Sequence, residues 1–169
     1  MQFRAIRGAL GFTYLELLFV VGVIGVAAAV SVPALNNALG RNRVFTSSEL
    51  LAAEIREARL AAISRNTTFR VVFDCPDGAI RYLVVTGVPV TDEAADRCTT
   101  RQPNDGLPVY LPSAVSLGDE PPSALEINGR GQISAVDGGP MPQSLSVTYG
   151  SFTRTLVVTA TGRVASPAS

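Results

Sequence analysis

The sequence predicts an α+β protein in which one long N-terminal helix packs on antiparallel β-sheets. Two observations lead to this fold class. Residues 17–40 contain no charged residue, and a helical pattern continues beyond them as an amphipathic stretch. After residue 66 apolar and polar residues alternate, and most glycines and prolines follow residue 74, which is typical of strands joined by turns. The chain is long enough for one domain with a modest core.

The charge-free run from Leu17 to Gly40 can cross a bilayer, because roughly 20 apolar residues suffice for a spanning helix. Arginines flank it on both sides, so the positive-inside rule alone does not orient it. The short head and the long tail with two cysteines favour a cytoplasmic N terminus and an extracytoplasmic C-terminal region.

One carboxylate, Glu16, lies at the start of this apolar run. Three interpretations compete: a secretory signal peptide cut near Ala27–Ala29, a plain membrane anchor, and a prepilin-type signal. An acid in the middle of a spanning helix costs about 2.5–3.5 kcal/mol, and less near an end, so it implies a partner. Neither a signal peptide nor a plain anchor gains from such an acid.

The stretch "GFTYLELL" resembles the class III signal of type IV pilins and type II secretion pseudopilins, whose usual form is G-F-T-L-I-E. The resemblance implies cleavage after Gly11 by a prepilin peptidase and N-methylation of the new N terminus, Phe12. It also implies that Glu16 pairs with the N-terminal amine of a neighbouring subunit during assembly. Pro33 matches a proline common in pilins and is expected to kink the helix.

The resemblance divides the chain into four parts. Residues 1–11 form the leader peptide and 12–40 the transmembrane and assembly helix. Residues 41–66 form the amphipathic half of the helix, and 67–169 an extracytoplasmic β-rich domain.

The amphipathic half carries a stripe of small and apolar residues at helical spacing, and its charged residues lie off that stripe. We expect the helix to run from about Phe12 to about Ser64 and to end near Asn66. The stripe consists of Val44, Ser48, Leu51, Ile55, Ala58 and Ala62; the charged residues are Glu49, Arg56 and Glu57.

A second resemblance follows, to minor pilins of the GspH/FimT type. Its matches are Ala58, Arg59, Ala62, Ile63, Arg65 and Asn66, ahead of the first strand, and two later stretches, "ALEINGRGQIS" and the Gly162-Arg163 pair. A structural alternative explains most of the first set equally well, namely that these residues end the helix and pack it on a sheet.

Two clear strands are expected around Phe69–Phe73 and Ile80–Val84, and a hairpin that turns at Tyr149–Ser151. Weaker strands are expected at 114–117, 125–128 and 132–135, with a long loop over 86–112. Cys75 and Cys98 are expected to form a disulfide that ties down this loop; two unlinked thiols are the alternative.

The composition argues against an enzyme. The chain has no His, its formal net charge is zero, and no set of residues has catalytic or metal-ligand spacing. We therefore expect neither catalysis nor a cofactor. The loop acids Asp105, Asp119, Glu120 and Asp137 are expected to be solvated turn residues, with a calcium site as the alternative.

DNA is the main alternative ligand. Some FimT-like minor pilins bind DNA through arginines near a C-terminal G-R-x-R, and Arg163 matches the first of these. Position 165 is Ala, so the second arginine is missing, although Arg154 on the hairpin could contribute. One or two phosphate contacts would give little affinity.

The resemblance thus implies a minor pilin or pseudopilin that assembles into, or primes, a type IV pilus filament. The alternatives are a GspH-like pseudopilin of type II secretion and a DNA-binding pilin for natural transformation. The expected partners are other pilin subunits, prepilin peptidase, an inner-membrane assembly platform and membrane lipid. The expected location is the inner membrane, with a single pass and a periplasmic C-terminal domain.

Overall fold

The computed structural model describes residues 13–92, 94, 96–118 and 122–166. The chain comprises two compact units, residues 1–39 and 40–169. One helix, α1, spans Tyr14–Arg65 and so contributes to both. Gly11 and Phe12, the predicted cleavage site, lie outside the described residues.

In the second unit, α1 presents the predicted stripe to the core. All six stripe residues are buried, whereas the charged residues Glu49, Arg56 and Glu57 are exposed. The amphipathic pattern was therefore read correctly, because burial follows a spacing of three and four residues along a helix.

The first sheet has five antiparallel strands in the order β3-β2-β1-β5-β6. Its strands are β1 Phe69–Cys75, β2 Ala79–Val84, β3 Val109–Tyr110, β5 Ala124–Ile127 and β6 Ile133–Ala135. A 3-10 turn at Pro76–Gly78 joins β1 to β2. A short helix, α2, at Pro89–Asp92 lies in the connection from β2 to β3.

The second sheet has four antiparallel strands in the order β4-β7-β8-β9. Its strands are β4 Ser116–Leu117, β7 Gln143–Tyr149, β8 Phe152–Val158 and β9 Val164–Ala165. The β7–β8 pair is the predicted hairpin, with Tyr149 opposite Phe152. The backbone N–H of Ile133 donates to the carbonyl of Ala160 (2.9 Å), which links the two sheets.

Apolar side chains from α1 and from both sheets form one hydrophobic core. Leu51 and Ile55 of α1 are fully buried, as are Phe69 of the first sheet and Leu145 and Val147 of the second. The predicted fold class, a long helix packed on antiparallel sheets, is confirmed.

Two details of the prediction were incomplete. The region 86–112, expected to be a loop, contains α2 and β3. The strand expected at 114–117 covers only Ser116–Leu117, and Ala114 has a φ of 66°, which does not fit an extended strand.

Candidate functional site

Glu16 lies in the first turn of α1, with its side chain exposed. Its backbone N–H donates to the hydroxyl oxygen of Thr13 (3.2 Å). A Thr three residues before a Glu at a helix start is the capping-box pattern, in which the hydroxyl accepts from the third helical N–H. The sequence "TYLE" carries this signal, which was not among the predicted features. Thr13 therefore caps the helix through the backbone of Glu16, whose exposed side chain has only its predicted role in assembly.

The part of α1 in the first unit presents apolar side chains that the described part of the chain leaves exposed. Leu15 and Phe19 expose 79% and 72% of their surface, and every other large apolar side chain between Tyr14 and Leu39 is also exposed. By length and composition this helix is apolar enough to cross a membrane. Pro33 lies inside α1, which continues through it; a kink there stays a prediction.

The C-terminal end of α1 is closed by the backbone. Asn66 has a φ of 49°, the N–H of Asn66 donates to the carbonyl of Ile63, and the N–H of Thr67 donates to the carbonyl of Ala62. This pattern is a Schellman cap, for which Asn is a common residue after Gly. The helix thus ends where the sequence predicted.

Arg59 ties together the three segments that matched the GspH/FimT pattern. Its Nε donates to the carbonyl of Gly131 (3.0 Å) and its Nη2 to the carbonyl of Thr161 (3.2 Å). Gly131 and Gly162 both have positive φ, and a Cβ on Gly162 would overlap the Arg59 side chain. For these residues the structural alternative holds: the matched residues pack the helix end on the strands.

Cys75 and Cys98 form the predicted disulfide, which joins the end of β1 to the loop before β3. Arg81 of β2 is buried beneath this loop and donates hydrogen bonds to two of its backbone carbonyls. Its Nε donates to the carbonyl of Gly106 (2.7 Å) and its Nη1 to the carbonyl of Cys98 (2.6 Å).

Asp105 corrects the expectation that the loop acids are solvated. It is 4% exposed, and both of its carboxylate oxygens accept hydrogen bonds from Arg97 (2.6 and 2.9 Å). Burial alone would raise the pKa of Asp105, but the bonds from Arg97 and from the backbone of Val84 and Gln102 hold it below its usual value. This acid therefore anchors the loop. Asp137 is exposed as expected, whereas Asp119 and Glu120 lie outside the described residues.

A solved structure shares this architecture. The minor pseudopilin EpsH from the type 2 secretion system of Vibrio cholerae matches with a TM-score of 0.51 and 17% identity, over 75% of this chain and 97% of that one. The chain has the fold of a minor pseudopilin. No family model matches the chain, and no curated protein matches it by sequence.

On this minor-pseudopilin fold, the two arginines considered for DNA do not form one site. The guanidinium of Arg154, on β8, lies over the ring of Phe45 (4.7 Å to the centroid). Arg163 is exposed in the turn after β8, beside the end of that strand at Val158. Four residues of extended strand separate the two positions, which is roughly 13 Å. DNA binding through this pair stays a prediction.

A cavity of about 240 Å³ lies between the first sheet and the disulfide loop. Arg70 and Arg97 contribute to its lining, but both are already paired, with Glu126 and Asp105 respectively. Because these charges are neutralised within the chain, the cavity offers a ligand few free polar groups.

Proposed function

We propose that the chain is a minor pilin or pseudopilin, a structural subunit that assembles into, or primes, a type IV pilus filament. Prepilin peptidase cuts after Gly11 and Phe12 is N-methylated. The apolar helix holds the subunit in the inner membrane, with the β-rich domain outside. One observation carries the proposal: the stretch "GFTYLE" directly precedes the charge-free residues 17–40 of a helix that leads into a minor-pseudopilin fold.

Assembly in this proposal depends on the charge of Glu16. A carboxylate that enters hydrocarbon without a partner is strongly disfavoured, and the amine that cleavage exposes on a neighbouring Phe12 relieves that penalty. The pair would form only in the correct register between subunits, so it both drives and aligns the addition of each subunit.

A type II secretion pseudopilus is the second candidate, and the likeness to EpsH favours it. Deletion of the gene separates the two. Loss of surface pili with normal export indicates the pilus, whereas secreted proteins retained in the periplasm of a normally piliated strain indicate secretion.

Processing is tested on protein isolated from its native membrane. Mass spectrometry should find N-methylated Phe12 as the first residue. Gly11→Leu should keep the leader attached, whereas the matched leader variant Gly8→Ala should be cut normally. A first residue near Ser31, or an intact Met1 in the wild type, would refute the proposal.

A second experiment separates the assembly role of Glu16 from the helix cap. Gln can replace Glu in a capping box but carries no charge. Glu16→Gln should therefore be processed normally yet be lost from filaments, as Glu16→Val should be. Thr13→Ala, which removes the cap hydroxyl at a cost of about 1 kcal/mol, should still assemble. If Glu16→Gln assembles normally, the charge is not required and the pairing mechanism is wrong.

A further inference from the structure

Six residues form a compact arginine–aromatic cluster where the second unit begins. The cluster joins the first residues of that unit's part of α1 to the turn of the β7–β8 hairpin, more than 100 residues later in the chain. Its members are Arg41, Arg43, Phe45, Tyr149, Phe152 and Arg154.

Each guanidinium in the cluster lies over the face of one aromatic ring, within the range of a cation–π contact. Arg43 also donates from Nη1 to the hydroxyl of Tyr149 (2.6 Å). The distances to the ring centroids are 5.9 Å for Arg41 over Phe152, 4.9 Å for Arg43 over Tyr149 and 4.7 Å for Arg154 over Phe45.

The positive charge of the cluster is not neutralised within the described part of the chain. The ion pairs found there are Arg70–Glu126 and Arg97–Asp105, and neither involves the cluster. Arg41 and Arg43 are exposed, and the Nε of Arg154 is buried without a hydrogen-bond partner in that same part. Because stacking uses the face of a guanidinium, the remaining N–H groups of the exposed Arg41 and Arg43 can donate to an oxyanion with several acceptors.

The position of the cluster in the sequence indicates which oxyanion it meets. Arg41 directly follows the charge-free run 17–40, whose length as a helix is roughly 36 Å. The hydrocarbon core of a bilayer is about 30 Å thick, so a helix that crosses it brings Arg41 and Arg43 to headgroup level. Aromatic side chains are enriched at that level, and Phe45 exposes 47% of its surface there.

We propose that the arginine–aromatic cluster binds the phosphates of anionic phospholipids in the extracytoplasmic leaflet. The inference rests on the proposed membrane-spanning function. In the proposed orientation Arg41 and Arg43 lie on the side where the positive-inside rule disfavours basic residues, and a lipid contact gives them a local purpose. Clusters of basic residues beside a membrane segment attract anionic lipid at about 1 kcal/mol per residue. Duplex DNA is less suited, because its affinity needs many phosphate contacts and the cluster holds three arginines.

The test uses the full chain reconstituted in vesicles, with a single tryptophan as reporter, since the sequence has none. Phe45→Trp places the reporter in the cluster and keeps a ring for Arg154. Phe19→Trp places it in the apolar run. Brominated phosphatidylcholine quenches the fluorescence of a tryptophan that it contacts. Unbrominated phosphatidylglycerol that displaces it restores the fluorescence, so the recovery measures the lipid preference at each position.

At position 45 we expect a preference for phosphatidylglycerol of at least about fivefold, the equivalent of about 1 kcal/mol for one arginine in contact with lipid. The double variant Arg41→Gln, Arg43→Gln should abolish it. The matched control Arg101→Gln, Arg130→Gln removes two exposed charges elsewhere in the same unit and should retain the preference. Position 19 should show quenching without a headgroup preference.

Equal affinity for the two lipids at position 45 would overturn the lipid inference and leave the proposed function intact. The same holds if the control variant loses the preference for phosphatidylglycerol as the double variant does. Quenching at position 19 without any at position 45 would do the same. Absence of quenching at both positions would instead reject the membrane-spanning function itself. Retention of duplex DNA that the double variant loses, with lipid preference unchanged, would assign the cluster to DNA.

Discussion

Glu54 lies in the contact between α1 and the first sheet, where its carboxylate is poorly accommodated. It is 6% exposed, and its Oε1 has no hydrogen-bond partner in the described part of the chain. Burial raises the pKa of Glu54 to about 7, and the nearby Glu57 adds to the increase, against an opposing contribution from the backbone of Tyr82. Glu57 accepts a hydrogen bond from the Tyr82 hydroxyl (3.0 Å). Burial is the main cause that raises the pKa of Tyr82, and the positive charge of Arg65 opposes the increase.

This shift makes folding stability depend on pH. The ordinary pKa of 4.5 applies to the unfolded chain, so between pH 4.5 and 7 the folded state binds more protons than the unfolded state. Stability therefore falls as pH rises through this window and levels off above pH 7. A difference of about 2.5 pH units corresponds to about 3 kcal/mol at pH 8.

Glu54→Gln removes the titration while keeping the shape of the side chain. Urea unfolding of the full chain in non-ionic detergent, followed by near-UV circular dichroism, gives the free energy at each pH. At pH 8 the variant should be more stable than the wild type by about 3 kcal/mol, and near pH 4.5 the two should be similar. Glu49→Gln, an exposed change on the same helix, should leave the pH dependence intact.

The reasoning fails if wild type and Glu54→Gln lose stability in parallel between pH 5 and 8. It also fails if Glu49→Gln removes the slope, because the dependence would then come from general charge repulsion along the helix.

Three further predictions concern the second unit. The double variant Cys75→Ser, Cys98→Ser should lower the free energy of unfolding by about 3 kcal/mol in urea titrations, and reduction of the wild type should lower it equally. An unchanged free energy of unfolding would mean that the disulfide does not constrain the unfolded chain. Asp105→Asn should cost about 3 kcal/mol because it leaves a buried arginine uncompensated, whereas Asp137→Asn should be neutral; equal effects would contradict the buried pair. Because φ is positive at Asn66, Asn66→Ala should raise the thermal unfolding rate and lower the free energy of unfolding by about 1 kcal/mol, whereas Asn66→Gly should be tolerated. An Asn66→Ala variant as stable as the wild type would argue against the cap.

The sequence was most informative where local physics decides the structure. The stripe from Val44 to Ala62 follows helical spacing, and the first two strands alternate in part, so both could be predicted from periodicity. The helix end at Asn66 was also predictable, because "SRNTT" interrupts the stripe.

Tertiary contacts decided the rest. Arg97 and Asp105 look like ordinary loop residues in the sequence, yet both are buried because each neutralises the other. The arginine–aromatic cluster pairs residues such as Arg43 and Tyr149, 106 positions apart, which no local pattern reveals. Short strands such as β3 are defined by their partner strand and carry too few residues for a periodic signal.

The distribution of these contacts indicates where function lies in the chain. The GspH/FimT-like residues of the β-rich domain converge on Arg59 and hold the helix end against the strands, so they explain the fold. Two N–H groups of Arg59 donate to the carbonyls of Gly131 and Thr161, so this side chain has a structural role. The buried groups without a hydrogen-bond partner in the described part of the chain include the Ser47 hydroxyl, Glu54 Oε1 and the Nε of Arg154. The exposed groups there include the apolar side chains ahead of Gly40 and the guanidinium groups of Arg41 and Arg43, which form no ion pair. If the proposed function is right, we expect recognition of membrane and neighbouring subunits to depend on the apolar part of α1 and on the arginine–aromatic cluster. Substitutions at Arg59 should impair folding, while those at Glu16 or Arg43 should spare folding and impair assembly or lipid preference.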